Sequence, residues 1–80
     1  MRLLQLNPGN RAAIEAIHEQ GVLAKRLADL GFVRGAEVTM IKRGSPCIVN
    51  IHGRSVGLGA AGQRRIVVRP IKPEALLQAG

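Results

Sequence analysis

One segment constrains the fold of this chain most: LAKRLADLGFVRG, at positions 23–35. Leu23, Leu27 and Leu30 recur at the spacing of one helical face, which predicts a short amphipathic helix. Gly31 predicts its end, because glycine enters the left-handed region after the last turn without a Cβ penalty. A helix of two or three turns is marginally stable alone, so its leucine face is expected to lie on a sheet.

The rest of the chain predicts that sheet. Apolar and polar residues mix at strand-like spacing in five short runs, which turns rich in glycine and proline separate. We expect strands over 11–18, 37–43, 47–52, the run through Val56 and Leu58, and 65–69. Residues 3–6 should form an extended arm, residues 59–62 a bend, and Pro70 the end of the last strand. The predicted fold is mainly β: a small five-stranded SH3-like barrel with one short helix inserted between the first two strands.

Eighty residues predict a single domain, 1–80, with its core over about 4–69 and a C-terminal extension over 70–80. Pro73 and Glu74 suit the first turn of a short helix in that extension. Because Phe32 is the only aromatic residue, Val, Ile and Leu must build most of the interior. Leu27 and Leu30 are expected there as well.

The charge indicates an acidic partner. Twelve Lys and Arg against five Asp and Glu give a net charge of +7, which favours an acidic protein, a nucleic acid or an anionic membrane surface. Charge alone does not choose among them. The chain has no Tyr or Trp to stack on bases, so nucleic-acid binding would rest on phosphate contacts only.

The sequence contains few residue patterns that are typical of an enzyme active site. Gly57, Gly59 and Gly62 match the G-x-G-x-x-G dinucleotide pattern, but the residues that follow predict a strand rather than the helix that this pattern requires. The few carboxylates form no acid and base pair, and no nucleophile stands near a histidine and a carboxylate in a recognisable order. We expect no enzyme activity and no cofactor.

A metal site is not expected either. His18, Met40, Cys47 and His52 lack the spacing of metal ligands, and Cys47 shares the inward face of its strand, where a lone thiol acts as a small hydrophobe. A single cysteine also excludes an intrachain disulfide. The apolar run at the N-terminus is too short for a signal peptide. This run and the single cysteine predict a soluble, cytoplasmic protein.

The order of several motifs resembles the FeoA (ferrous iron transport protein A) family. They are an L-x-L-x-P-G opening at 4–9, R-L-x-x-L-G-[hydrophobic]-x-x-G at 26–35, Gly-Ser-Pro at 44–46 and Ile-Val-Val at 66–68. The resemblance implies an SH3-like, cytoplasmic protein without enzyme activity. It also implies a role in ferrous iron uptake through the transporter FeoB, a membrane protein with a cytoplasmic GTP-binding domain. Ser45 departs from the family, in which many members have an acidic residue before the loop proline.

A docking role directs attention to the residues around the helix and its hairpin. The candidate partner-binding residues are Leu23, Lys25, Arg26, Arg34 and Arg43. The alternative function is a basic adaptor that binds nucleic acid or an iron-dependent transcription regulator, with a steep salt dependence of binding if phosphates are neutralised. A third hypothesis, a direct iron carrier, would require His18, Cys47 or His52 as a ligand.

Overall fold

The computed structural model describes residues 1–72. The predicted helical turn at Pro73 and Glu74 therefore lies outside the described residues, as does most of the C-terminal extension. The elements, in chain order, are a 3-10 helix Leu3–Gln5, β1 Arg11–Ile17, α1 Gly21–Asp29, β2 Glu37–Lys42, β3 Cys47–Ile51, β4 Arg54–Leu58, α2 Ala60–Arg64 and β5 Ile66–Ile71.

The five strands form one antiparallel sheet in the order β4-β3-β2-β1-β5. The first four strands follow one another as a meander, and β5 returns to pair with β1. The N-terminal residues lie along the other edge of β5, where Arg2 bridges Val67 and the Val68 amide donates to the Met1 carbonyl at 2.7 Å. The mainly-β prediction and the helix between the first two strands are confirmed.

Two β-bulges interrupt the regular pairing of the sheet. The pairing of β1 with β5 shifts between Ile14 and Ala16, and the pairing of β2 with β3 shifts between Met40 and Lys42. Ile41, the apolar residue on the polar face of β2, lies at the second shift and is exposed. A bulge adds one residue to one strand and bends that strand, so the two bulges curve the sheet.

A second short helix corrects the prediction for 59–62. These residues were expected to form a bend that leads into the last strand at 65–69, but α2 extends from Ala60 to Arg64. Gln63 is buried, and its Nε2 donates to the Leu58 and Gly44 carbonyls at 2.9 Å each. The helix therefore depends on a side-chain contact across 19 residues of sequence rather than on an apolar stripe.

The presence of α2 also changes the reason for rejecting dinucleotide binding. A helix does begin within the glycine pattern, but it has only five residues and leads into β5, which pairs antiparallel to β1. The dinucleotide fold requires a longer helix that connects two parallel strands. The pattern thus marks a tight connection in an antiparallel sheet.

Two smaller predictions were wrong at the ends of the fold. Pro70 does not end the last strand, because β5 continues to Ile71 and Pro70 pairs with Ala12. The predicted extended arm at 3–6 contains a 3-10 turn, which buries Leu3 and Leu6 on the same side. A strand pattern cannot predict this turn, since its two apolar residues are three positions apart.

Within residues 1–72 the core consists of fourteen buried apolar residues, and all five strands, the 3-10 turn and α1 contribute to it. They are Leu3, Leu6, Ala12, Ile14, Leu27, Phe32, Val38, Met40, Cys47, Val49, Ile51, Leu58, Ile66 and Val68. The predictions that Leu27, Phe32 and Cys47 are core residues are confirmed, and Leu30 packs against the core while half-buried.

Candidate functional site

The end of α1 is built as the sequence predicts. Gly31 adopts a φ of +103°, its amide donates to the Ala28 carbonyl at 2.9 Å, and the Phe32 amide donates to the Leu27 carbonyl at 2.9 Å. These two bonds form a Schellman motif. Such a motif is usually accompanied by a contact between the apolar residues at its two ends. Leu27 and Phe32 are those residues, and both are buried. The motif fixes the direction in which the chain leaves the helix.

The loop after α1 is tied to the middle of β1. The Gly35 amide donates to the Ile14 carbonyl at 2.8 Å, and the Ile14 amide donates to the Ala36 carbonyl at 2.9 Å. Arg34, which precedes these bonds, lines an open concavity that also contains Glu15 and Arg69. The loop is thereby held against the sheet while the Arg34 side chain faces outward.

The exposed side of this segment combines apolar and basic side chains. Val22 is 70% exposed, and Leu23 and Val33 are each 45% exposed. Lys25, Arg26 and Arg34, the predicted partner-binding cations of this segment, are exposed as well. We call this set the helix surface: Val22, Leu23, Lys25, Arg26, Val33 and Arg34.

Arg43, the fifth predicted partner-binding residue, lies elsewhere. It follows the end of β2 that is remote from the helix, and the six residues of this strand span about 20 Å. Its guanidinium donates to the Leu4 carbonyl at 3.4 Å and to Asn7 Oδ1 at 3.5 Å. The structure thus places four of the five predicted residues on one segment, and it places Arg43 against the N-terminal residues.

Sequence reasoning missed Val22 and Val33. The leucine stripe drew attention to one helical face, and Val22 lies one residue outside that stripe. A signal was available in the cluster of apolar residues next to lysine and arginine, since a purely structural helix normally carries polar residues on its outer side.

The residues considered for iron binding lie apart. His18 follows β1 and His52 lies in the turn between β3 and β4, both exposed, whereas Cys47 is fully buried. Burial raises the pKa of the Cys47 thiol above its ordinary value of 9.0, and backbone hydrogen bonding at Leu58 and Cys47 opposes this effect. Residues 1–72 contain no group of three His, Cys, Asp or Glu side chains arranged to hold a metal ion.

These features define a class: a small basic β-domain with an SH3-like sheet and a short helix whose outer side is part apolar and part cationic. No helix within residues 1–72 has the length and apolar character needed to cross a membrane. The family model of the FeoA domain matches residues 1–70, and the chain belongs to the FeoA family. The resemblance seen in the sequence is confirmed.

Solved structures of two related proteins share the fold. Iron(II) transport protein A from Clostridium thermocellum is 28% identical with a TM-score of 0.85, covering 89% of this chain and 46% of that protein. FeoA from Stenotrophomonas maltophilia, solved with zinc and described as an SH3 domain protein, is 32% identical with a TM-score of 0.76. That match covers 85% of this chain and 88% of the relative. The SH3-like prediction is confirmed.

A curated relative connects the family to the transporter. The Fe(2+) transport protein A/Fe(2+) transporter FeoB fusion protein of Porphyromonas gingivalis is 38% identical over 42 residues. The match covers 52% of this chain but only 5% of that relative, which is therefore a far longer protein.

Proposed function

We propose that this chain is a non-enzymatic accessory protein of ferrous iron uptake, which acts in the cytoplasm by docking on a FeoB-type transporter. The whole chain, 1–80, acts as one domain with its core over about 4–69. The observation that carries the proposal is the Porphyromonas gingivalis relative, whose name joins transport protein A and FeoB in one polypeptide. Fusion raises the effective concentration of two parts that act together, whereas separate chains need a binding surface to meet.

The helix surface supplies the contacts that such docking requires. Protein interfaces combine an apolar centre with a polar rim, and arginine is enriched among the residues that contribute most to affinity. Val22, Leu23 and Val33 provide exposed apolar side chains, and Lys25, Arg26 and Arg34 provide exposed cations on the same segment. With a net charge of +7, the chain complements an acidic face, for which we propose the cytoplasmic GTP-binding part of the transporter.

The proposed surface omits Arg43. Its hydrogen bonds to Leu4 and Asn7 indicate that it holds the N-terminal residues against the end of β2. A substitution at Arg43 should therefore change the stability of the fold more than the affinity for the partner.

The test is a calorimetric titration at physiological salt with the transporter of the same organism. The intact transporter in lipid nanodiscs and its isolated cytoplasmic part are titrated in parallel, with duplex and single-stranded oligonucleotides alongside. The proposal predicts saturable binding to both transporter samples. Binding to neither, together with salt-sensitive binding to the oligonucleotides, would contradict it and favour the basic-adaptor alternative.

A further inference from the structure

A second group of basic side chains includes none of the residues of the helix surface. Arg2, His18, Arg64 and Arg65, which we call the arginine cluster, line two adjoining open concavities that share His18 and Arg65. The larger concavity has a volume of about 560 Å³, and the smaller has a volume of about 410 Å³. The docking proposed above uses none of these residues.

Backbone hydrogen bonds hold the three segments of the cluster together. The His18 amide donates to the Arg65 carbonyl at 2.7 Å, directly after the last pair of β1 with β5. Arg2 bridges Val67 on the other edge of β5. Residues from the N-terminus, the end of β1 and the connection from α2 to β5 are therefore fixed beside one another before any ligand binds.

The charges of the cluster are poorly balanced within the described chain. Arg65 Nη1 donates to Glu19 Oε1 at 3.5 Å and to the His18 carbonyl at 3.2 Å. Within residues 1–72 the ion pairs are Arg11 with Glu37 and Arg65 with Glu19, so Arg2 and Arg64 pair with no carboxylate of that part. Like charges around one concavity repel, and a bound anion would relieve this repulsion.

We propose that the arginine cluster binds a small oxyanion with two or more negative charges, which is the chemistry that phosphorylated metabolites and polycarboxylates share. The planar guanidinium group donates two parallel hydrogen bonds to a phosphate or carboxylate group. Arg65 is held by Glu19 and the His18 carbonyl, and Arg2 and Arg64 supply donors that pair with no carboxylate within residues 1–72. The lining contains no Phe, Tyr or Trp side chain, so recognition rests mainly on the charged group of the ligand.

The test is a titration followed by amide NMR shifts at constant ionic strength, with tripolyphosphate and citrate as the probes. We expect saturable shifts centred on Arg2, His18, Arg64 and Arg65. Tighter binding of tripolyphosphate would assign the site to phosphorylated ligands, and tighter binding of citrate would assign it to polycarboxylates; either outcome supports the proposal. Shifts that grow linearly with either probe and never saturate would overturn it.

A matched pair of variants separates the site from net charge. Arg64→Gln removes one guanidinium group of the cluster, and the lost charge-assisted hydrogen bonds should raise the dissociation constant about tenfold. Arg54→Gln removes the same charge from the exposed start of β4, at the opposite edge of the sheet, and should change the constant less than about twofold. Equal losses in the two variants would overturn the proposal, because they would indicate attraction to the overall charge.

Discussion

The two sides of the segment from Gly21 to Gly35 use similar apolar side chains for different purposes. Leu27 and Phe32 are buried and join the helix to the core, whereas Val22, Leu23 and Val33 are exposed. The fold requires apolar residues on the inner side, because Leu27 is buried there and the Schellman motif brings Phe32 to it. The fold does not require the outer side to be apolar, and a group of exposed apolar residues beside cations is typical of an interaction surface.

The largest expected effect separates the two sides by stability. Leu27→Ala should lower the free energy of unfolding by about 2 to 5 kcal/mol, because it removes buried methyl groups and leaves a cavity. Leu23→Ala makes the same chemical change on the exposed side and should cost less than about 0.5 kcal/mol. Urea denaturation measures both. A Leu27→Ala variant as stable as the parent would show that α1 is not anchored by its inner side.

A smaller effect is expected at the turn that joins the two sides. Gly31→Ala should destabilise the fold by about 1 to 3 kcal/mol, since an L-residue is strained at its φ of +103°. A Cβ at this position would also lie 2.5 Å from Cδ2 of His52, which must then move.

Gly35→Ala is the matched control for Gly31→Ala. Its φ is +92°, but nothing lies within 4 Å of the added carbon, so it tests backbone strain alone. Thermal unfolding of the two variants measures the difference. A Gly35→Ala variant that loses more stability than Gly31→Ala would contradict the proposed contact with His52.

The smallest effect concerns the interior that the helix covers. Since burial raises the pKa of the Cys47 thiol above 9.0, the unfolded chain loses this proton at a lower pH than the folded chain. The free energy of unfolding should therefore fall as the pH rises through and above 9.0. In Cys47→Ala the free energy of unfolding should fall less, because the thiol is removed and all other titrating groups are the same. Denaturation curves at several pH values give the free energy of unfolding of the parent and of Cys47→Ala. The same dependence on pH in both would show that the thiol is not shielded.

Local sequence signals predicted the parts of the fold that depend on neighbouring residues. Gly31 ends the helix because a left-handed residue is needed there, and the strands follow their alternating residues. Ile41 departs from the alternation of apolar and polar residues in β2, and the structure shows a bulge at this position.

Contacts between distant residues accounted for what the sequence did not predict. The helix α2 contains Ala60, Ala61 and Gly62, which form no stripe, and the buried Gln63 holds it through the carbonyls of Leu58 and Gly44. A pattern search over neighbouring residues contains no information about such a contact.

The candidate site divides in the same way. Helical spacing was enough to place Lys25 and Arg26 away from the leucine face, and both are exposed. The same spacing put Leu23 on the face expected to lie on the sheet, but the structure leaves it 45% exposed. Helical spacing was not enough for Arg43, whose partners in the N-terminal segment are more than thirty residues away. The arginine cluster also contains residues from segments that only the folded sheet brings together, and no local sequence motif predicts it.

The most direct test of the proposed docking is a calorimetric comparison of Lys25→Glu with Lys42→Glu, each titrated with the intact transporter in nanodiscs. Both residues are exposed, and the two variants have the same net charge, but only Lys25 belongs to the helix surface. The proposal predicts that Lys25→Glu weakens binding at least about tenfold, while Lys42→Glu stays within about twofold of the parent. Equal affinities for the two variants would contradict docking through the helix surface.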